Sequence, residues 1–254
     1  MINFLRKLRR KEMKGSKSAF AAGRYFKYAV GEIFLVVIGI LIALSINNWN
    51  TKRQQQIELK GYLEKIASNM EQDITLAEEY AIKRDSSNQL CSQAVKSLLG
   101  EEPNLGLVMR AASSVIMEFY FVADKSGFEA LKTSGYIGKL KDARLDSLLS
   151  KYYFTLEKLE REEISYNTFI ESMEASWLKE TSLLPIMSAL DIQNGGINDP
   201  EAFIKTLENN RDIILARPIE AVIVRGSSET LPQAYYRELI QIGSAFIEEV
   251  KQLN

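Results

Sequence analysis

From Ala29 to Ile46 the chain is an apolar run, AVGEIFLVVIGILIALSI, interrupted by one ionisable residue, Glu32, and bordered by Tyr28 and by Asn47-Asn48-Trp49-Asn50. The stretch from Tyr28 to Trp49 makes a helix of about 33 Å at ~1.5 Å per residue, enough to cross a hydrocarbon core of about 30 Å. Tyr28 and Trp49 fall where aromatic rings favour the headgroup zone, as interfacial anchors. Within the span, Gly31, Leu35, Gly39, Ala43 and Asn47 recur every fourth residue and share one face. Gly39 and Ala43 form a small-xxx-small pair that lets a second helix approach, with Asn47 as an interhelical hydrogen-bonding group, so this is a candidate partner face. Against that stands the frequency of such pairs in any apolar helix. Glu32, an acid inside a span, is a candidate partner or protonation site, or else a solvated residue within a turn of the boundary.

After the span the pattern becomes amphipathic. Thr51 to Leu99 has no proline and one glycine, Gly61, while Leu59, Leu63, Ile66, Met70, Ile74, Ala77 and Ala81 recur at spacings of three and four. This predicts one long helix running out of the span, stopped at Gly100 and Pro103. A second helix is expected after Asn104, with Leu107, Val108 and Ala111. Ile116 to Ala123 has strand propensity but no partner strand, and reads as a helix end or packed loop. Ser126-Gly127-Phe128-Glu129 reads as a capping box opening a short helix that ends near Ser134, with Gly135 in the left-handed position beyond it. This motif is either a binding site or a turn that sets an interhelical angle; the turn is preferred.

Asp142 is expected to cap a helix to about Glu180, with a seam of Leu145, Leu149, Tyr152, Leu156, Leu159, Tyr166, Ile170, Met173 and Trp177 and a gap at Glu163. That near-heptad, coiled-coil-like spacing suits antiparallel packing on the 51–99 helix. The charges Glu157, Lys158, Glu160, Arg161, Glu162 and Glu163 read as a solvated face rather than acid–base machinery. Leu184-Pro185 and Asn194-Gly195-Gly196 break the pattern. Asp199-Pro200-Glu201 starts a short helix to about Asn209. Arg217-Pro218 and Gly226-Ser227-Ser228 punctuate the next segment. A last helix from Thr230 or Leu231 carries Tyr235, Leu239, Ile242, Phe246, Val250 and Leu253 on one face. No repeat of fixed period stands out.

Charge orients the span. Met1 to Val30 holds nine basic residues against the single acid Glu12, whereas the rest of the chain is net acidic. Positive residues beside a span stay in the cytoplasm. The expected order is therefore a basic cytoplasmic tail (1–28), a transmembrane signal anchor (29–49) and a periplasmic helical bundle (51–254), in a bacterial inner membrane. Ala43-Leu44-Ser45 also fits a cleavage site, but a basic region of about 28 residues and so long an apolar run favour an uncleaved anchor. In the tail, Ile2, Leu5 and Leu8 oppose Arg6, Lys7, Arg9, Arg10 and Lys11, the pattern of a helix on an anionic membrane surface or simply of a topology signal. Topology already explains the basic run, so nucleic acid is not an expected partner.

The chain has no histidine, which removes Ser-His-Asp and Cys-His catalysis and imidazole zinc sites. Cys91 is the single cysteine; it reads as a small apolar core residue, the alternative being a disulfide between two chains. No phosphate loop, GxSxG or EF-hand pattern occurs. No catalytic residue, metal site or cofactor is expected.

The segment Gly31 to Asn50, GEIFLVVIGILIALSINNWN, with its MINFLRKLRRK start and RYFKYAVGE approach, resembles an uncharacterised family of single-pass membrane proteins of Bacteroidota that carry a domain of unknown function. FEALKTSGYIGKLKDARLDSLLSKYY, Phe128 to Tyr153, is similar to that family's Phe-x-x-Leu-Lys-x-Ser-Gly motif. The resemblance implies an inner-membrane anchor with a helical periplasmic domain and no activity to transfer. Together these readings predict an all-α protein that binds an envelope protein or itself beside the bilayer as an accessory subunit. The alternative is a sensory module that signals through its span to a cytoplasmic partner.

Overall fold

A computed structural model describes residues 18–117, 119–182, 184–187, 190–191, 196–197 and 199–253. The basic segment Met1–Lys17 and the Asn194-Gly195 loop lie outside them. The fold is all-α. The chain divides into two compact units, Met1–Glu58 and Leu59–Asn254.

Helix α1 (Ser18–Leu98, 81 residues) contributes to both units. In the first, every residue from Ala29 to Asn50 is exposed, and this part is long and apolar enough to cross a membrane. A helix satisfies its own backbone hydrogen bonds, so such a surface is stable in lipid and unfavourable in water. It suggests a membrane anchor.

The second unit holds the remaining elements: α2 (Leu105–Ile116), α3 (Ser126–Thr133), a 3₁₀ turn (Ile137–Lys139), α4 (Ala143–Glu180), α5 (Leu184–Met187), α6 (Pro200–Asn209), α7 (Arg211–Ile214), α8 (Arg217–Ser228) and α9 (Leu231–Gln252). Leu190–Asp191 and Gly196–Ile197 add one short antiparallel pair. The caps fall where the side chains dictate. Asn104 accepts from the Leu107 N–H, Asp142 from Arg144 and Leu145, and Asp199 from Glu201 and Ala202. Gly135 takes φ +71° just beyond α3, a conformation that glycine adopts without the Cβ penalty.

One expected cap is not formed. The Ser126 hydroxyl and Glu129 carboxylate do not cap α3. The Asp124 carboxylate, two residues upstream, takes the Ser126 N–H at 2.9 Å, and Glu129 instead pairs with Lys132 at 3.6 Å. Asp124 thus takes the amide that the box reserves for Glu129, and the Glu129 N–H, which the Ser126 hydroxyl would have accepted, bonds to the Lys125 carbonyl at 2.9 Å.

The direction of packing also differs from the expected one. Going up α1, Asp73 meets Tyr152 and the Arg84 guanidinium lies over Tyr166, so α1 and α4 run parallel. The antiparallel partner of both is α9: Arg144 pairs with Glu249 at 2.8 Å, Lys251 with Glu71 at 3.4 Å, and Arg237 with Asp85. The connection from 99 to 142 supplies the reason. It descends beside α1, with Ser87 bonded to Ser114, Tyr80 against Phe119, Asn69 beside Ser126 and Tyr62 against Tyr136. This return path brings the chain back to the start of the bundle before α4 begins. The result is an up-down-up-down arrangement in which the first descent is α2, a non-helical strap (119–125) and α3, and the second is α9.

Two hydrophobic clusters fill the unit. One gathers Leu63, Met70, Leu131, Leu149, Leu156 and Phe246; the other gathers Cys91, Val108, Val115, Ile170, Trp177 and Ile223. In α9 it is Tyr236 that enters the core, while Tyr235 is half-buried. Leu253 is exposed.

Candidate functional site

A non-helical segment inside a helical bundle cannot satisfy its backbone by itself, and buried N–H and C=O groups require partners. In the strap the partners are side chains of the surrounding helices. The Phe121 N–H donates to Glu163 Oε2 at 2.8 Å, and the Asp124 N–H donates to Asp73 Oδ1 at 3.1 Å. The Phe119 carbonyl accepts from Asn167 Nδ2 at 3.1 Å, with Arg84 Nη2 at 3.5 Å. The Asn69 amide donates to the Asp124 carboxylate. Asn69, Asp73, Arg84, Glu163 and Asn167 are all buried.

The two acids are held alike. Each gives one oxygen to a strap N–H and the other to a buried tyrosine hydroxyl: Tyr152 donates to Asp73 Oδ2 at 3.0 Å, and Tyr236 donates to Glu163 Oε1. Each acid thereby joins three chain segments. Burial pushes the Asp73 and Glu163 carboxyls above the usual carboxylate range, an effect that the hydrogen bonds from Tyr152 and Tyr236 partly offset. Glu163 also feels the Arg84 charge, which favours its ionised form, whereas Asp73 feels the like charge of Asp124. Asp124, near the surface, is held below the usual range chiefly by its hydrogen bonds from Ser126. Burial raises both tyrosine hydroxyls as well, so Tyr152 and Tyr236 stay protonated donors.

Arg84, Ser87, Glu163, Asn167, Glu229 and Gln233 form a buried polar layer where the two hydrophobic clusters meet. Arg84 lies 4.5 Å from the Tyr166 ring centroid and Arg225 5.9 Å from it. Arg225 pairs with Glu229 at 2.6 Å. Asn88 ties the layer to the end of α8 by donating to the carbonyls of Gly226, Ser227 and Glu229 at 2.9, 3.0 and 3.2 Å. Such a layer, with its charges paired or stacked, fixes which residues of the four segments lie level, because any slippage strands a charge in an apolar core.

Gly31, Leu35, Gly39, Ala43 and Asn47 are all exposed on α1, with open space around Gly31 and Gly39. Glu32 is exposed beside Ala29, Ile33, Val36 and Val37. Trp49 is exposed, with the Arg53 guanidinium 5.8 Å from its ring centroid; the Tyr28 side chain lies outside the described residues. Phe128 stacks on Tyr153 at 3.8 Å, which ties the turn motif to α4. Cys91 is buried, its thiol pushed up to about 11 by burial, a setting that excludes a disulfide between folded chains. Among the described residues there is no group of three or more Cys, Asp or Glu that could hold a metal ion.

The expected solvated face on α4 holds for Glu157 and Arg161 and fails for Glu163, which is buried because a strap amide and a tyrosine hydroxyl need its oxygens. The signal was present: the gap at Glu163 falls in register with Leu159, Tyr166 and Ile170. Asp73 and Arg84 likewise continue the heptad spacing of Leu63, Ile66, Met70 and Ala77. A charged residue in a seam position marks a buried polar contact.

No match exists among the curated proteins or among the solved structures. Residues 32–156, just under half of the chain and reaching from the span into α4, are similar to a family of unknown function (DUF6090), an uncharacterised domain.

Proposed function

We propose that this protein is a membrane-anchored interaction module without catalytic activity, an accessory or scaffold subunit of an envelope complex in a bacterial inner membrane. The observation that carries the reading is the Ala29–Asn50 part of α1, apolar and exposed along its length. The basic N-terminus favours a cytoplasmic tail and a periplasmic bundle. Gly39 and Ala43 offer the span a close-packing face for an envelope partner or a second copy. The closed, polar-registered bundle suits a rigid binding body.

The test is crosslinking and capture of the full-length protein from native membranes, beside a variant carrying Gly39→Leu and Ala43→Leu. A defined set of envelope proteins lost in the variant supports the accessory reading, self-association alone supports a homo-oligomer, and no crosslinked species at all overturns both. One observation favours a sensory reading instead: Asn69, Asp73 and Arg84, which hold the strap, belong to the same helix as the span. Ligand-dependent changes in crosslinking at the cytoplasmic tail distinguish that reading.

A further inference from the structure

The turn between α3 and α4 carries a charge unlike that of the body it belongs to. From Ala130 to Lys141 the chain holds Lys132, Lys139 and Lys141 and no acid, whereas the chain beyond Val30 is net acidic. Lys132 pairs with Glu129 at 3.6 Å. Lys139 and Lys141 are exposed and, among the described residues, join no salt bridge. The Lys139 ammonium lies 4.0 Å from the Tyr136 ring centroid. Ile137 is 37% exposed, and a Cβ added at Gly135 or Gly138 would meet no atom within 4 Å, so the outer side of the turn is open. Tyr136 packs on Tyr62 with ring centroids 5.8 Å apart, in the first turn of α1 after this unit begins at Leu59. The turn therefore stands at the end of the bundle where the chain arrives from the apolar run. Leu59 follows Asn50 by nine residues, which span about 30 Å at full extension. The far end of α1 has the opposite character: the 99–104 turn holds Glu101 and Glu102 and no cation.

We propose that the 134–141 turn docks on the anionic surface of the bilayer that holds the span, with Lys139 and Lys141 at lipid phosphates and Ile137 in the headgroup layer. The inference rests on the membrane-anchor reading, because the short link after Asn50 is what keeps this end of the bundle within reach of that surface. Charge complementarity selects the occupant. Lysine ammonium groups are drawn to anionic lipid within about a Debye length, and tyrosine rings favour the same boundary. The acids of the 99–104 turn disfavour the same contact through the other end. Docking gives the bundle a second attachment to the membrane besides the span, one that salt weakens.

The test is amide hydrogen exchange of the full-length protein, one copy per lipid nanodisc so that no protein partner is present. The discs are made of phosphatidylcholine alone or of phosphatidylcholine mixed with phosphatidylglycerol. Peptides covering 134–141 are read against the 99–104 turn in the same molecule. The expected result is exchange about tenfold slower over 134–141 in the anionic discs, the scale set by two lysines at an anionic surface, with 99–104 unchanged. High salt is expected to abolish the difference, as is the double variant Lys139→Gln, Lys141→Gln, while Lys96→Gln on the far part of α1 is expected to keep it. Equal exchange in the two kinds of disc overturns the proposal, as does a difference that survives high salt or the double variant, or one that 99–104 shares. The salt arm uses the wild-type protein and decides even if the double variant fails to fold. Protein that does not co-elute with the discs overturns the anchor reading and the docking with it, whereas co-elution with a flat profile overturns the docking alone.

Discussion

Glu163→Ala is the perturbation that tests the polar layer most directly. The side chain accepts from the buried Phe121 N–H and the Tyr236 hydroxyl and faces the Arg84 charge, all at 2% exposure. Truncation leaves an N–H and a hydroxyl unpaired, each worth about 1–3 kcal/mol when buried. It also removes the negative charge that acts on Arg84. These losses share one site and do not add, so the expected destabilisation is about 3–5 kcal/mol. For a domain of this size that lowers Tm by roughly 6–20 °C. Glu163→Gln keeps an acceptor for Phe121 and gives Tyr236 Oη a donor, losing only the charge, so its shift is expected to be less than half as large. The assay is thermal unfolding of the detergent-solubilised protein by circular dichroism, paired with Tyr236→Phe in a double-mutant cycle. A fall below about 3 °C for the alanine variant, or equal effects of alanine and glutamine, refutes the claim that hydrogen bonding at Glu163 secures the strap.

Gly226→Ala places a Cβ 2.7 Å from Cys91 Sγ and 2.7 Å from Val115 Cγ2, so denaturant titration is expected to show a loss of about 1–3 kcal/mol from overpacking, partly restored by adding Cys91→Ala. Asp142→Ala removes a cap that accepts from two α4 amides and is expected to lower stability by about 1 kcal/mol in the same titration, with the fold unchanged by circular dichroism. With its thiol buried and pushed up to about 11, Cys91 is expected to resist maleimide at pH 7.5 in the native protein and react fully in denaturant, as read by intact mass. Glu163 titrates above its ordinary value of 4.5 in the folded protein. Its contribution is therefore complete below 4.5 and lost as pH rises through the higher folded value, so wild type should gain on E163Q as pH falls, its Tm advantage widening.

Local chemistry was the most legible part of the fold. Asn104, Asp142 and Asp199 open helices because a carboxylate or amide oxygen beside free N–H groups acts over one turn, independent of tertiary context. The apolar run and the seams of α1 and α4 were legible for the same reason, since periodicity is a property of one helix. The relative direction of α1 and α4 was not. A seam does not encode which helix fills it, and the descending path through α2, strap and α3 emerges only from contacts distant in sequence. The polar layer lay between these cases. Asp73, Arg84 and Glu163 occupy seam positions, but the identity of their partners, the Phe121 and Asp124 amides and the Phe119 carbonyl, depends on a strap that departs from helical structure. Ser126 misled because an S-x-x-E spacing is a sequence pattern, while Asp124, two residues before the amide, wins it from Glu129 by position.

The place of α9 has a consequence for how the chain reaches this state. The pairing of Glu71 with Lys251 joins residues 180 apart in sequence, and the first hydrophobic cluster takes Leu239, Phe246 and Val250 from α9, synthesised after the other described helices. Until that helix emerges, the part of the α1 and α4 seams that α9 covers stays open. The bundle therefore closes late, and a nascent chain presents an apolar stripe that is open to aggregation until α9 arrives.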